Sequence, residues 1–508
     1  MRDNTKILVF AGMIILSLAL PACDWFRNPS TCETIFDKVV NIPDKLILDI
    51  PQLPPLCDEI SDLKKDFANI LDGKLYYEEE GRGIPLVLIN GGPGGTHHDF
   101  HPCFSRARDF AHIIYYDQRG TGKSSIDNTG KTYSVKQAVE DLESLRKALK
   151  IDQWIVLGWS YGGFLAQCYA LTYPENINGL ILVAAADGLK KVKMKPSRQQ
   201  MFISKEEQTA IRKAWLAEGA GQLTLVQALY NAHLAGDWKR QSYYKPTPEG
   251  FIREALYEWS PAPGFRDLIC SDEDKIGLDG MFDDFEIPTL IFEGKWDLTW
   301  DTDKAEFMRR NHPHSQVEIF KESGHRIFGD EPEKFFDILQ TFLEKAVKTQ
   351  IEYSPGDRLT WPKPPSDFEL KIVMAQSLQD KQERENKILA LFDQAVKTKS
   401  KEASTWGLFF HYFFSPKKKN AHVFYENALY ALQQYEHTAP KSNPEQLKEY
   451  GHCIKVWRGE VLDLLGRRGE AIECYKDVLQ NFKEKCDHCS QVDRKWLEKR
   501  LKTPFKWN

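Results

Sequence analysis

Residues 156–165 read VLGWSYGGFL, and the setting of Ser160 within them decides the fold. An apolar run ends at Gly158, serine follows one residue later, Gly162 and Gly163 come next, and a helix-like pattern resumes. One reading is a tight strand-to-helix turn whose glycines let two elements approach closely. The other is a nucleophile elbow, in which a strained turn lifts the serine oxygen out of a sheet. The pattern G-x-S-x-G does not choose between them, so the choice falls to the rest of the chain.

With 508 residues, the chain is long enough for two or three domains. Hydrophobic residues make up 42% and charged residues 28%, as expected of a globular protein with a full core. The net charge of −5 gives no reason to expect a nucleic-acid partner, and Lys417–Lys418–Lys419 reads as a solvated helix end. At the start, MRDNTK precedes an uncharged run, Ile7–Leu20, of secretory length and short for a membrane span. It ends in Leu20-Pro21-Ala22-Cys23, which resembles a bacterial lipoprotein cleavage site. Export is therefore expected, to the membrane, periplasm or exterior. Cys23 is the candidate lipidated residue and membrane anchor, with plain secretion or an uncleaved anchor as the alternatives; partition of the mature chain into detergent reports the lipid. Export permits disulfides, and Cys32 with Cys57 and Cys103 with Cys270 are candidate pairs. Cys486-Asp487-His488-Cys489 lacks a second C-x-x-C and reads as thiols or one disulfide, so no metal site is assigned.

The expected organisation is a signal peptide over 1–22, a proline-rich tether over 23–65 and a catalytic domain over 66–348. A linker over 349–366 and a helical domain over 367–508 follow. In the catalytic domain, LYYEE (75–79), PLVLIN (85–90), HIIYYD (112–117), WIVLGW (154–159) and GLILVAA (179–185) read as strands. A helix is expected over 134–150, opened by a capping box of Ser134 and Gln137. Buried β-branched runs alternating with amphipathic helices imply a mostly parallel sheet covered on both faces. The alternation stops over about 187–285, an aromatic helical stretch that reads as a lid, and resumes with PTLIFEG (288–294) and QVEIF (316–320). WRGEVLDLLGRRGEAIECYKDVL (457–479) is similar to a tetratricopeptide hairpin; an unclassified helical appendage is the other reading. Either would give this domain a surface for a protein partner.

Acyl transfer by serine needs a base, an acid that orients the base, and backbone donors for the developing oxyanion. Asp297 follows a strand in EGKWDLTW, and His325 stands in a Ser-Gly-His turn after the next strand. The order Ser160, Asp297, His325 is that of an α/β-hydrolase. Asp301 and Asp303 fit helix capping better than the acid role. Strand PLVLIN runs into Asn90-Gly91-Gly92-Pro93-Gly94-Gly95, which lacks the residues of a phosphate loop, and the Gly92 and Tyr161 N–H groups are the candidate oxyanion donors. With these partners the elbow reading wins. This chemistry requires no metal or organic cofactor.

GGPGG (91–95), DQRGTGKS (117–124), GWSYGG (158–163), GKWD and SGH together resemble the prolyl iminopeptidase branch of the α/β-hydrolases, serine peptidase family S33. The resemblance covers roughly 70–346. It implies an α/β-hydrolase fold with a helical lid and then an all-α domain, and a serine aminopeptidase acting on peptides with proline preferred. It further implies that Asp117, Gln118 and Arg119 brace the loop beside the site, and that lid glutamates hold the substrate ammonium. Glu218, Glu254 and Glu258 are the candidates. Asn90 stands where many members have histidine. A carboxylester hydrolase with the same triad, and a surface interaction protein with a vestigial hydrolase domain, are the other readings.

Overall fold

The first strands form an antiparallel hairpin, β1 (Lys64–Ile70) and β2 (Gly73–Gly81), at one edge of an eight-stranded sheet. The computed structural model describes residues 33–36, 40–51, 63–186, 202–257, 261–299, 304–348, 359–378, 380–415, 422–442, 444–481, 492 and 494–506. The remaining strands are β3 (Ile84–Ile89), β4 (Ala111–Tyr116), β5 (Trp154–Trp159), β6 (Ile177–Val183), β7 (Thr289–Gly294) and β8 (Gln316–Phe320). Their order is β1-β2-β4-β3-β5-β6-β7-β8. β2 pairs antiparallel with β4, and every pairing from β4 through β3 to β8 is parallel.

The central strands are buried at nearly every position, which is why they read as largely apolar runs. On one face Leu86, Leu88, Ile155 and Leu157 pack with Phe335, Leu339 and Phe342 of the helix Pro332–Ala346. The other face carries α1 (Val135–Ala148) and α2 (Tyr161–Thr172). Ser134 caps α1 by accepting the Gln137 N–H at 3.1 Å. The reciprocal half of the expected capping box is absent, because the Gln137 amide donates to Asp141 one turn on, at 3.0 Å.

Among the described residues, the α-helices between β6 and β7 are α3 (Lys205–Gly219), α4 (Leu225–Leu234), α5 (Pro248–Tyr257) and α6 (Phe265–Glu273). Capping boxes Ser204/Glu207 and Thr224/Gln227 start the first two, so this segment specifies its helices locally. We refer to it as the cap.

Two expectations are corrected here. The proline-rich stretch does not run clear of the fold as a tether: Ile35 is buried, and residues 33–36 and 40–51 lie along the cap. Nor do Cys103 and Cys270 join, since Cys270 is a free thiol in α6. Cys103 is instead packed in the core with Phe100 and Phe104. Cys23, Cys32, Cys57 and the 486–489 motif lie outside the described residues.

The chain divides into two compact units: the first ends at Pro362 and leaves out Asn128–Lys131, and the second comprises those four residues and the chain from Lys363 on. The second contains helices from Asp367–Gln376 to Arg494–Lys502 around an aromatic core that includes Phe392, Trp406, Phe409 and Phe413. In it, Pro444–Leu464 and Arg468–Asn481 pack as neighbours, and a Cβ at Gly459 would lie 2.5 Å from the Tyr475 ring. That close approach explains the glycine opposite the tyrosine. Among the described residues no helix is long and apolar enough to cross a membrane.

Candidate active site

Ser160 joins β5 to α2 with φ 56° and ψ −123°, a strained conformation that non-glycine residues rarely adopt. The turn is held by Ser160 N–H donating to Val183 O at 3.0 Å and by Ala186 N–H donating to Ser160 O at 2.8 Å. The surrounding glycines are a packing requirement. A Cβ at Gly158 would fall 2.1 Å from Gly162 O, and one at Gly162 would fall 2.1 Å from Ile89 O. The end of β3 therefore presses directly on the first turn of α2, and the loop after β3 is delivered beside Ser160. A Cβ at Gly91 would lie 3.3 Å from Ser160 Cβ.

That loop is braced from three directions. Asn90, fully buried, donates to Gly95 O at 2.8 Å and accepts from Gln118 Nε2 at 2.7 Å. Gly91 N–H donates to Asp99 Oδ2 at 3.0 Å, and Gly95 N–H donates to Gly91 O at 3.1 Å. Gly92 has φ 121°, a region open to glycine. Tyr161 is the first residue of α2, so its N–H has no acceptor within the helix. Asp117 accepts from His97 N–H and from Lys123 N–H, both at 2.8 Å, tying the turn after the glycine loop to the DQRGTGKS loop. Arg119 makes two bonds to Asp141, at 2.7 and 2.8 Å.

Asp297 and His325 are brought together and buried. His325 Nδ1 lies 2.7 Å from Asp297 Oδ2, while Asp297 Oδ1 accepts the Thr299 N–H at 2.8 Å. A carboxylate only accepts, so Nδ1 carries the proton and Nε2 is left with a lone pair. The two loops touch at glycines: a Cβ at Gly294 would fall 2.0 Å from Gly324 O. Trp159, beside the serine, donates its indole N–H to His325 O at 3.0 Å, and the two ring centroids are 5.3 Å apart. Trp159 and Asp99 are site residues that sequence reasoning missed. Trp159 stood within the quoted stretch, whereas no local signal marks Asp99.

Behind the histidine loop, Asp330 Oδ2 accepts from Gly324 N–H at 2.8 Å and Tyr243 N–H at 3.0 Å. Burial pushes its carboxyl up to about 7 against those bonds. The unfolded chain ionises this group at ordinary carboxylate pH, so between there and pH about 7 the folded state holds more protons. This contribution to stability is present at the acid end of that window and is lost as pH rises through it. Asp330→Asn should lack that slope: the Tm of wild type minus that of the variant falls from pH 4.5 to 8. A difference independent of pH would contradict it.

The lid glutamates are less defined. Glu218 is partly exposed near the end of α3, and Glu254 lies on α5, which packs against the His97–Phe100 turn following the glycine loop. Glu258, Asp301 and Asp303 lie outside the described residues.

A buried acid–imidazole pair, a strained serine elbow and a glycine loop on this sheet define a hydrolase of the α/β-hydrolase fold. The family model described as the alpha/beta hydrolase fold matches residues 84–332. A proline iminopeptidase from Clostridium botulinum is 30% identical over 308 residues, covering 56% of this chain and 99% of the relative. One from Saccharolobus solfataricus is 27% identical over 299 residues, covering 57% of this chain and 95% of the relative. A solved structure, a thermophilic esterase from Thermogutta terrifontis, is 19% identical with a TM-score of 0.43, covering 56% of this chain and 99% of that one. The chain belongs to the α/β-hydrolase family, and its first unit is a relative of the proline iminopeptidases.

Proposed function

We propose that the protein is a serine aminopeptidase that releases N-terminal residues, proline preferred, through an acyl-enzyme. Ser160 attacks the first peptide carbonyl as His325 Nε2 takes its proton, and Asp297 holds the imidazole in the required tautomer. The Gly92 and Tyr161 N–H groups receive the oxyanion. Protonated His325 then gives its proton to the departing amine, and water, deprotonated by the same imidazole, releases the acid. The observation that carries this reading is the buried 2.7 Å His325–Asp297 pair, joined through Trp159 to the Ser160 turn.

Cutting only at a chain's start requires recognition of a free ammonium, for which a desolvated carboxylate is the natural partner. Glu254 is supported as a candidate by the packing of its helix against the turn after the glycine loop; Glu258 and Glu218 remain candidates on sequence. The test is a matched pair, prolyl-naphthylamide and its N-acetyl twin. Cleavage of the free amine with refusal of the blocked one is expected. Equal cleavage would replace the aminopeptidase by a carboxylester hydrolase with the same triad.

A further inference from the structure

The cap segment Gln241–Lys245 is gripped on both edges. On one edge Ile35 N–H donates to Tyr243 O and Lys245 N–H donates to Glu33 O, both at 2.8 Å, with Thr34 and Tyr244 bridged antiparallel. On the other edge Gln241 O accepts from His325 N–H at 2.7 Å and from Arg326 N–H at 3.2 Å. Tyr243 N–H reaches Asp330 on the same side. The fit is close: a Cβ at Gly324 would fall 2.6 Å from Gln241 O.

Phe36 extends this grip to the acid loop. Its ring packs edge-on against Phe202 at 5.4 Å, Tyr243 at 5.9 Å and Trp296 at 4.5 Å between centroids. Phe202 and Tyr243 belong to the cap, and Trp296 precedes Asp297. Further along, the Asn231 side chain accepts from Ile47 N–H at 2.8 Å and donates to Ile47 O at 2.9 Å, while Gln227 donates to Leu48 O at 2.7 Å. The N-terminal stretch is thus fastened to the cap at two separated places.

We infer that residues 33–36 and 40–51 act as a strap that is a working part of the catalytic unit, with Phe36 as a positioning residue. Phe36 acts through the Gln241–Lys245 segment on the main chain of His325, and through Trp296 on the loop carrying Asp297. The inference rests on the triad reading and goes beyond it. A segment bonded on both edges is held as an inner strand is; released on one edge, it follows the histidine loop alone. Displacing a catalytic group by about 1 Å costs up to about 10²-fold in rate.

The test uses the full chain with Phe36→Ala and Phe36→Tyr, well below each melting temperature, on p-nitrophenyl acetate and prolyl-naphthylamide. Phe36→Ala should lower kcat about tenfold on both substrates with little change in KM. Hydrogen exchange should quicken in peptides covering 241–245 and 323–326, and Phe36→Tyr should restore both properties. A strap that only adds stability would lower Tm and leave kcat and exchange at 323–326 unchanged, which overturns the inference. If Phe36→Ala does not fold, Phe36→Leu keeps apolar bulk and decides the matter: faster exchange at 323–326 supports the strap, and wild-type exchange overturns it. Should wild type cleave neither substrate, the hydrolase reading has failed, while the exchange result still decides the strap.

Discussion

Ser160→Ala is expected to lower kcat by at least about 10⁴-fold and to abolish labelling by a fluorophosphonate. The effect should be catalytic rather than structural. The backbone at this position is strained at φ 56°, and alanine bears that conformation no better and no worse than serine. The main-chain bonds to Val183 and Ala186 do not involve the hydroxyl, so Tm should stay near the wild-type value. Labelling of the variant at the wild-type rate would remove Ser160 from the nucleophile role.

Asp297→Asn is expected to cost about 10⁴-fold in kcat with little change in Tm. The Thr299 N–H donates to one carboxylate oxygen, and the other faces His325 Nδ1. An asparagine here keeps its single oxygen for Thr299 and turns its NH₂ toward the imidazole. His325 Nδ1 must then accept, which moves the ring proton to Nε2, where the base is needed. Activity within about tenfold of wild type would return the acid role to another carboxylate.

The parts of this arrangement legible in the sequence are those written in local pattern. The buried strands show as apolar runs, and the elbow and glycine loop show as glycines whose Cβ would strike neighbouring backbone. Asp297 and His325 are marked by following strands β7 and β8. What was hidden depends on contacts between distant segments. A proline-rich stretch has the same composition whether it hangs free or lies along a surface, so Ile35 bonding to Tyr243 left no trace. The grip of Asp99 on Gly91 is carried by one carboxylate with no periodic signal. β1 was missed because KKDFANI is exposed at nearly every position and belongs to the sheet only through its pairing with β2. The role of Asn90 is likewise visible only in the structure: its amide both donates and accepts, joining Gly95 to Gln118.

The central claim is that one serine on this elbow performs the chemistry, and mapping a covalent adduct tests it most directly. Wild-type protein would be treated with a fluorophosphonate to completion, digested, and the modified residue located by mass spectrometry, with activity followed on the same sample. The expected result is a single adduct on Ser160 and loss of hydrolysis of both p-nitrophenyl acetate and prolyl-naphthylamide in proportion to labelling. An adduct on another residue, or full activity after stoichiometric labelling of Ser160, would contradict it.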